Sequence, residues 1–225
     1  MPTIDSIPTG WYLIQMTSRS PAKPRRGDAR AALLDAAHVV VRRKGWTATS
    51  VDELCGTAGV TKGAFFHHFA SKEALGVAAA ERWTARAQHL IFELPDYLML
   101  KDPLDRVLGH IEFRLAMIAG PAEDYSCFVG TMVQEAFASS EPLRAASGAS
   151  ITAYAERLAD DFQQAIDLYG VPAGVSALSL AYHVQAVLQG AFVLAKAKGD
   201  PAHARDPVIH LKRYVTMLFG KATNP

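Results

Sequence analysis

The stretch GWTATSVDELCGTAGVTKGAFFHHFASKEAL, Gly45 to Leu75, decides the fold. Ser50 stands where a helix N-cap belongs, and Glu53 follows three residues later as the partner of a capping box. Val51, Leu54 and Cys55 then share an inward face, and Gly59 ends the helix. Thr61 caps a second short helix, Lys62 to Phe69. Ser71 caps a third, expected to run to about Phe92, with Glu73 and Glu81 on its wet side and Leu75, Ala79 and Trp83 on its dry side; Pro95 closes it. Two short helices joined by AGVT make a helix-turn-helix. Gly59 supplies the sharp turn, and Val60 plugs the space between the helices. Phe65 and Phe69, four residues apart, share a face that can dock on Leu54 and on the helix before it. Lys62, Gly63, Phe66 and His67 then face outward. One long cation, one residue without a side chain and aromatic edges suit a DNA major groove.

His67 and His68 raise three alternatives: a metal site, an ordinary structural role, or contact with a polyanion. Adjacent helical residues point about 100° apart, so the two imidazoles do not share a face. No Cys, Asp or Glu stands four residues from both to complete a ligand set. No metal is expected, and contact with DNA by at least one of them is the favoured expectation. Cys55 is expected to be a small buried residue.

Outward from this stretch, ARAALLDAAHVVVRRKG (Ala29 to Gly45) has helical period, with Leu33, Ala36, Ala37 and Val40 on one stripe. Three cations complement the dipole at its end, and Gly45 suits a left-handed cap. Residues 1–26 carry proline, serine and the basic cluster Lys23, Arg25 and Arg26, and are expected to be a flexible arm. Within them WYLIQM lacks a preceding cationic flank and makes a poor signal peptide. Asp102-Pro103 opens a helix to about Ala119, and Gly120-Pro121 breaks it. Further helices are expected near Tyr125–Ala138, Glu141–Tyr169, Ala173–Lys198 and Pro207–Phe219. No stretch alternates like a strand. The expected fold is all-α with about nine helices.

No apolar run reaches the ~18 to 20 residues needed to cross a bilayer, so no membrane is expected. Two distant cysteines, Cys55 and Cys127, form no disulfide framework and suit a reducing cytoplasm. Net charge is only +1, but residues 22–75 hold nine Lys/Arg against five Asp/Glu, while residues 76–225 hold 13 against 16. A basic front and a mildly acidic rear point to a polyanion at the front.

Gly45 to Leu75 resembles the DNA-binding domain of TetR-family (tetracycline-repressor-like) transcriptional regulators. The matching features are the Thr/Ser pair, the Ala-Gly-Val-Thr turn, Lys-Gly, the aromatic-x-His-Phe run and Ser-Lys-Glu. The resemblance implies that Thr49, Ser50, Thr61, His68 and Lys72 contact phosphates, and that Lys62, Gly63, Ala64 and His67 lie nearest the bases. Phe66 departs from the pattern, since tyrosine is usual there. A phenyl ring can pack on a sugar edge but cannot donate to a phosphate. The division implied is an arm at 1–26, a helix-turn-helix domain at 27–75 and a helical ligand-binding and dimerisation domain at 76–225.

The family's rear helices form a ligand pocket, and Asp124 to Ala146 resembles a segment of one subset of the family. Phe113, Met117, Phe128, Met132, Phe137, Tyr154 and Phe162 supply aromatic and thioether surface, with Gln134, Glu135 or Tyr154 as polar anchors. Plain core is the competing role for each. Cys127 lies near a helix start, where a thiol can be activated, but its sequence neighbours are Glu123 and Asp124. Both an inert thiol and an electrophile sensor stay open. The apolar residues 173–198 and 207–219 suggest pairing across a two-fold axis, with Ala181, Ala186, Gly190 and Ala191 allowing close approach.

Together these features predict a ligand-responsive transcriptional regulator, a repressor by preference. It would bind a near-palindromic double-stranded DNA operator as a homodimer and be released by an apolar or electrophilic small molecule. A helical small-molecule-binding protein is the alternative. An enzyme is not expected, since His38, His89, His110, His183, His203 and His210 share no spacing with a nucleophile or carboxylate pair, and no cofactor is expected.

Overall fold

The computed structural model describes residues 29–220; the proposed arm lies outside them. The fold is all-α. Among the described residues eleven helices follow one another: α1 (Ala29–Lys44), α2 (Val51–Ala58), α3 (Lys62–His68), α4 (Lys72–Ala87), α5 (Pro95–Met99), α6 (Pro103–Met117), α7 (Ala122–Tyr125), α8 (Phe128–Ala136), α9 (Glu141–Tyr169), α10 (Ala177–Lys198) and α11 (Ala202–Leu218). A single π-helical turn, Gln88–Phe92, extends α4.

Local caps set most of these boundaries. The hydroxyls of Ser50, Thr61, Ser71, Ser140 and Ser176 accept the N–H three residues on, and the Asp102 carboxylate caps α6 ahead of Pro103. The box at Ser50 is only half made. Glu53 does not return to the Ser50 N–H but pairs with Lys44 and, at 3.5 Å, with Arg43, fastening α2 to the end of α1.

Four expected boundaries move. Pro95 opens α5 instead of closing the preceding helix, because proline fits a first helical turn. The helix expected over Tyr125–Ala138 is two, parted at Ser126 and Cys127, both extended. The next starts at Ala177, where Ser176 and Ser179 form a full capping box. Pro207 lies inside α11: Asp200 accepts the Ala202 N–H and starts the helix early. So near the N-terminus, proline forfeits a single intrahelical bond.

The apolar residues gather into two cores. The front core joins α1–α4 through Leu33, Leu54, Phe65, Phe69 and Leu75, and takes Phe128, Val129, Met132 and Ala136 from α8 and Leu143 from α9. The rear core joins α6, α9, α10 and α11 around Leu104, Val107, Ile111, Leu158, Phe162, Leu188 and Val208. Within the front core Gly76 of α4 meets Trp46 and Leu143. A Cβ there would fall 2.6 Å from the Trp46 ring and 2.7 Å from Leu143.

Helix α10 is long and apolar enough by composition to cross a membrane, contrary to the expectation from apolar runs. It packs against α9 and α11, with Leu180, Ala181, Val184, Leu188, Ala191 and Phe192 buried. Ala181 and Ala191 therefore face this chain's own core, not a partner helix. Ala186 and Gly190 lie on the outer face with exposed Leu178, Tyr182, Val193 and Leu194.

Candidate functional site

Helix α3 is seven residues long and could not persist alone. Phe65, fully buried, and Phe69, at the C-cap, hold it against Leu54 and α1; their rings lie 5.9 Å apart. Gly59 takes the left-handed conformation (φ 66°) that the turn before α3 requires. With one face fixed, Lys62, Gly63, Phe66 and His67 are exposed on the other, and Ala64 and His68 are half-buried. Phe66 is 56% exposed, a large apolar ring in water beside a cation. The His67 and His68 rings meet edge to face at 4.9 Å, closer than their angular separation suggested.

Ser50 and Thr61 are exposed, and each accepts a backbone N–H at 3.1 Å, leaving its hydroxyl proton to donate outward. Two expected phosphate ligands are turned inward. Thr49 is buried, and its hydroxyl donates to the Gly45 carbonyl at 2.6 Å. Lys72 donates to the Trp46 carbonyl at 2.6 Å and lies over that indole at 4.3 Å. Burial pushes the Lys72 ammonium below its usual range, and Glu135 nearby partly restores it. Lys62 reaches Asp52 at 2.7 Å. Both ends of that pair are in solvent, so it holds Lys62 only weakly. The hydrogen bond to Asp52 raises the Lys62 pKa.

The expected effector contacts do not converge. Phe128 and Met132 belong to the front core, where Phe128 meets His38 at 4.8 Å and Trp83 at 6.0 Å. Phe162 stacks on Phe219 within the rear core. Gln134 is exposed and donates to the Gly130 carbonyl, and Phe137 is 63% exposed. Glu135 accepts the Thr47 N–H at 2.7 Å and ties α8 to the loop after α1. Met117 is half-buried at the end of α6. Phe113, Tyr154 and Cys127 do border the rear core.

Several buried polar residues escaped the sequence. His110 on α6 is buried and shares a 2.9 Å hydrogen bond with Tyr154 on α9. His38 is likewise buried; its Nε2 donates to the Ala79 carbonyl at 2.8 Å. Burial pushes His38 down to about 4 and His110 to about 3, so both are neutral. Arg42, one of the three cations at the end of α1, is buried, lies 5.1 Å over Trp83 and reaches the Asp124 carbonyl at 3.4 Å. Burial lowers it to about 10, and it stays charged. Cys127 caps α8, its sulfur accepting the Gly130 N–H at 3.3 Å. The fold brings Arg42 and Lys196 within electrostatic reach of that sulfur, although no Lys or Arg neighbours it in sequence. Burial lowers the Lys196 pKa, and Cys127 opposes the shift.

An all-helical chain with a pinned helix-turn-helix in front and a second helical core behind defines a class of two-part DNA-binding regulators. Residues 33–79 match the family model described as bacterial regulatory proteins, tetR family. Residues 103–211 match the tetracyclin repressor-like C-terminal domain. The chain belongs to the TetR family. The HTH-type transcriptional repressor NemR of Escherichia coli is 42% identical over 67 residues, which span 30% of this chain and 34% of NemR. The transcriptional regulator AcuR of Cereibacter sphaeroides is 28% identical over 198 residues, 82% of this chain and 89% of AcuR. Among solved structures, reduced E. coli NemR has a TM-score of 0.69 at 26% identity, covering 83% of this chain and 96% of that one. A TetR regulatory protein from Rhodobacter sphaeroides scores 0.72 at 25% identity, covering 84% and 99%.

Proposed function

We propose that this chain is a ligand-responsive transcriptional repressor, cytoplasmic and homodimeric, that binds a near-palindromic operator and is released by a small molecule. Residues 27–75 are the reading head, and residues 76–225 the effector and dimerisation domain. One observation carries this: α3 is clamped by Phe65 and Phe69 with Lys62, Gly63, Phe66 and His67 facing solvent together. In this reading Lys62, Gly63, Ala64 and His67 approach base edges, with Phe66 against the sugars. Ser50, Thr61 and His68 meet phosphates, and Thr49 and Lys72 join them by swinging out or act only through the loop they brace. Release follows when an effector binds a state whose two heads no longer match the half-site spacing.

The two-fold axis falls on α10 and α11 in this proposal. Leu178, Tyr182, Val193, Leu194, Tyr214 and Met217 are large and exposed there, at 41–72%, more apolar surface than a monomer keeps without use. Sedimentation of a monomer at micromolar concentration would overturn the dimer.

The head is tested by fluorescence anisotropy with duplex DNA flanking the chain's own gene, titrated with salt. Affinity should fall steeply and log-linearly as salt rises; binding insensitive to salt would overturn the phosphate contacts.

A second reading is favoured by Cys127. A thiol at a helix N-cap, close to Arg42 and Lys196, has the surroundings of an electrophile sensor. DNA release by electrophiles that persists unchanged in Cys127→Ser removes this reading.

A further inference from the structure

His110 and Arg114 lie one turn apart on α6, and both leave a nitrogen closed to solvent without a hydrogen-bond partner among the described residues: His110 Nδ1 and Arg114 Nε. Arg114 differs from its neighbours Arg106 and Arg157. Arg157 spends its charge on Asp161 at 3.3 Å and Arg106 on the same carboxylate at 2.7 Å, while Arg114 has no ion pair among the described residues. His110 is 1% exposed, and its Nε2 is taken by the Tyr154 hydroxyl. In the tautomer where Tyr154 donates its O–H to Nε2, the neutral ring carries its own proton on Nδ1 and presents it as a donor. Two donors, one of them charged, are thus left in a largely apolar setting. Arg114 as a whole is half-buried, but its closed Nε is left unmet, and an anion there would complete it.

The walls are aromatic. Phe92 stacks flat on His110 at 5.4 Å and stands edge to face on Tyr154 at 5.1 Å, and Phe192 lies beneath the Arg114 guanidinium at 5.8 Å. Phe92, His110 and Tyr154 bring together the π-turn after α4, α6 and α9, and one turn along α6 Arg114 reaches α10 through Phe192. The π-turn continues directly from α4, whose Gly76 packs against Trp46 in the front core.

We propose that the effector is a small organic carboxylate, its oxygens taken by Arg114 and His110 and its short apolar body lying between Phe92 and Phe192. This rests on the reading of the rear domain as the effector site. Arginine's planar fork matches a carboxylate, and the His110 N–H adds a second direction. A neutral ligand of equal shape would leave the guanidinium uncompensated.

The test uses the full chain and two matched pairs of probes, benzoate with benzamide and butyrate with butyramide, followed by calorimetry and by release of labelled promoter DNA. At least one carboxylate should bind and release DNA about tenfold or more better than its amide. Arg114→Met should lose that carboxylate about tenfold while binding DNA like the parent chain, and Tyr154→Phe should weaken it less. Amides equal to acids, no binding of either carboxylate, or an Arg114→Met chain that binds them unchanged would overturn the proposal. The comparison of acid with amide needs no variant, so a misfolded Arg114→Met would not shelter it. If DNA binding itself is absent, the regulator reading fails; if DNA binding is intact and the carboxylates fail, only this inference does.

Discussion

Lowering the pH from about 7.5 to about 5 should cost the folded chain about 4 kcal/mol through His38 and His110 alone. Both imidazoles are held neutral, His38 pushed down to about 4 and His110 to about 3, by burial first and by neighbouring arginines after it. In the unfolded chain each titrates near 6.5. Below that value the unfolded chain takes up protons that the folded chain refuses, so stability is complete above pH 6.5 and declines as pH falls toward 4. Integrating the linkage between those limits gives about 2 kcal/mol for each histidine, a large part of a typical domain's stability. Urea denaturation at a series of pH values measures it, with the lower limit kept above the titration of ordinary carboxylates. In His38→Gln the amide can still donate to the Ala79 carbonyl, and the pH slope should fall by about half. A stability flat across this window, or an undiminished slope in His38→Gln, would refute the assignment.

Gly76→Ala should destabilise the chain by about 1–3 kcal/mol in urea titrations, because the new methyl meets the stiff Trp46 ring and Leu143 at once. Phe66→Tyr adds a donor at an exposed position and should tighten promoter binding several-fold, by about 1 kcal/mol; unchanged affinity would place residue 66 away from phosphate. Lys72→Ala should weaken all duplexes about equally, and Lys62→Ala should act on some sequences more than others, read by anisotropy on a panel of operators.

How much of this was legible depended on distance along the chain. The caps at Ser50, Thr61, Ser71 and Asp102 act over two or three residues, so sequence spacing identifies them. The clamp of Phe65 and Phe69 is equally local, being one helix face. Pro95 opens a helix where it was expected to close one, because a proline near a helix start looks much like one after a helix end. The contacts that give the rear half its chemistry span far more chain. Arg42 reaches Asp124 across 82 residues, and His110 reaches Tyr154 across 44. Nothing around His110 in sequence distinguishes it from the exposed His203. Likewise Cys127 acquires its cations only when α1 and α10 close on it.

The front core's dependence on Phe128, Val129, Met132, Ala136 and Leu143 has a consequence for protein engineering. Residues 27–75 are not an interchangeable cartridge. A hybrid regulator that grafts them onto a foreign sensor would leave one wall of their core unbuilt, and Glu135 would no longer secure the Thr47 loop. A chimera expected to switch must carry the inner faces of α8 and α9 along with the head, and swaps that exchange both together are the ones that should yield soluble, inducible hybrids.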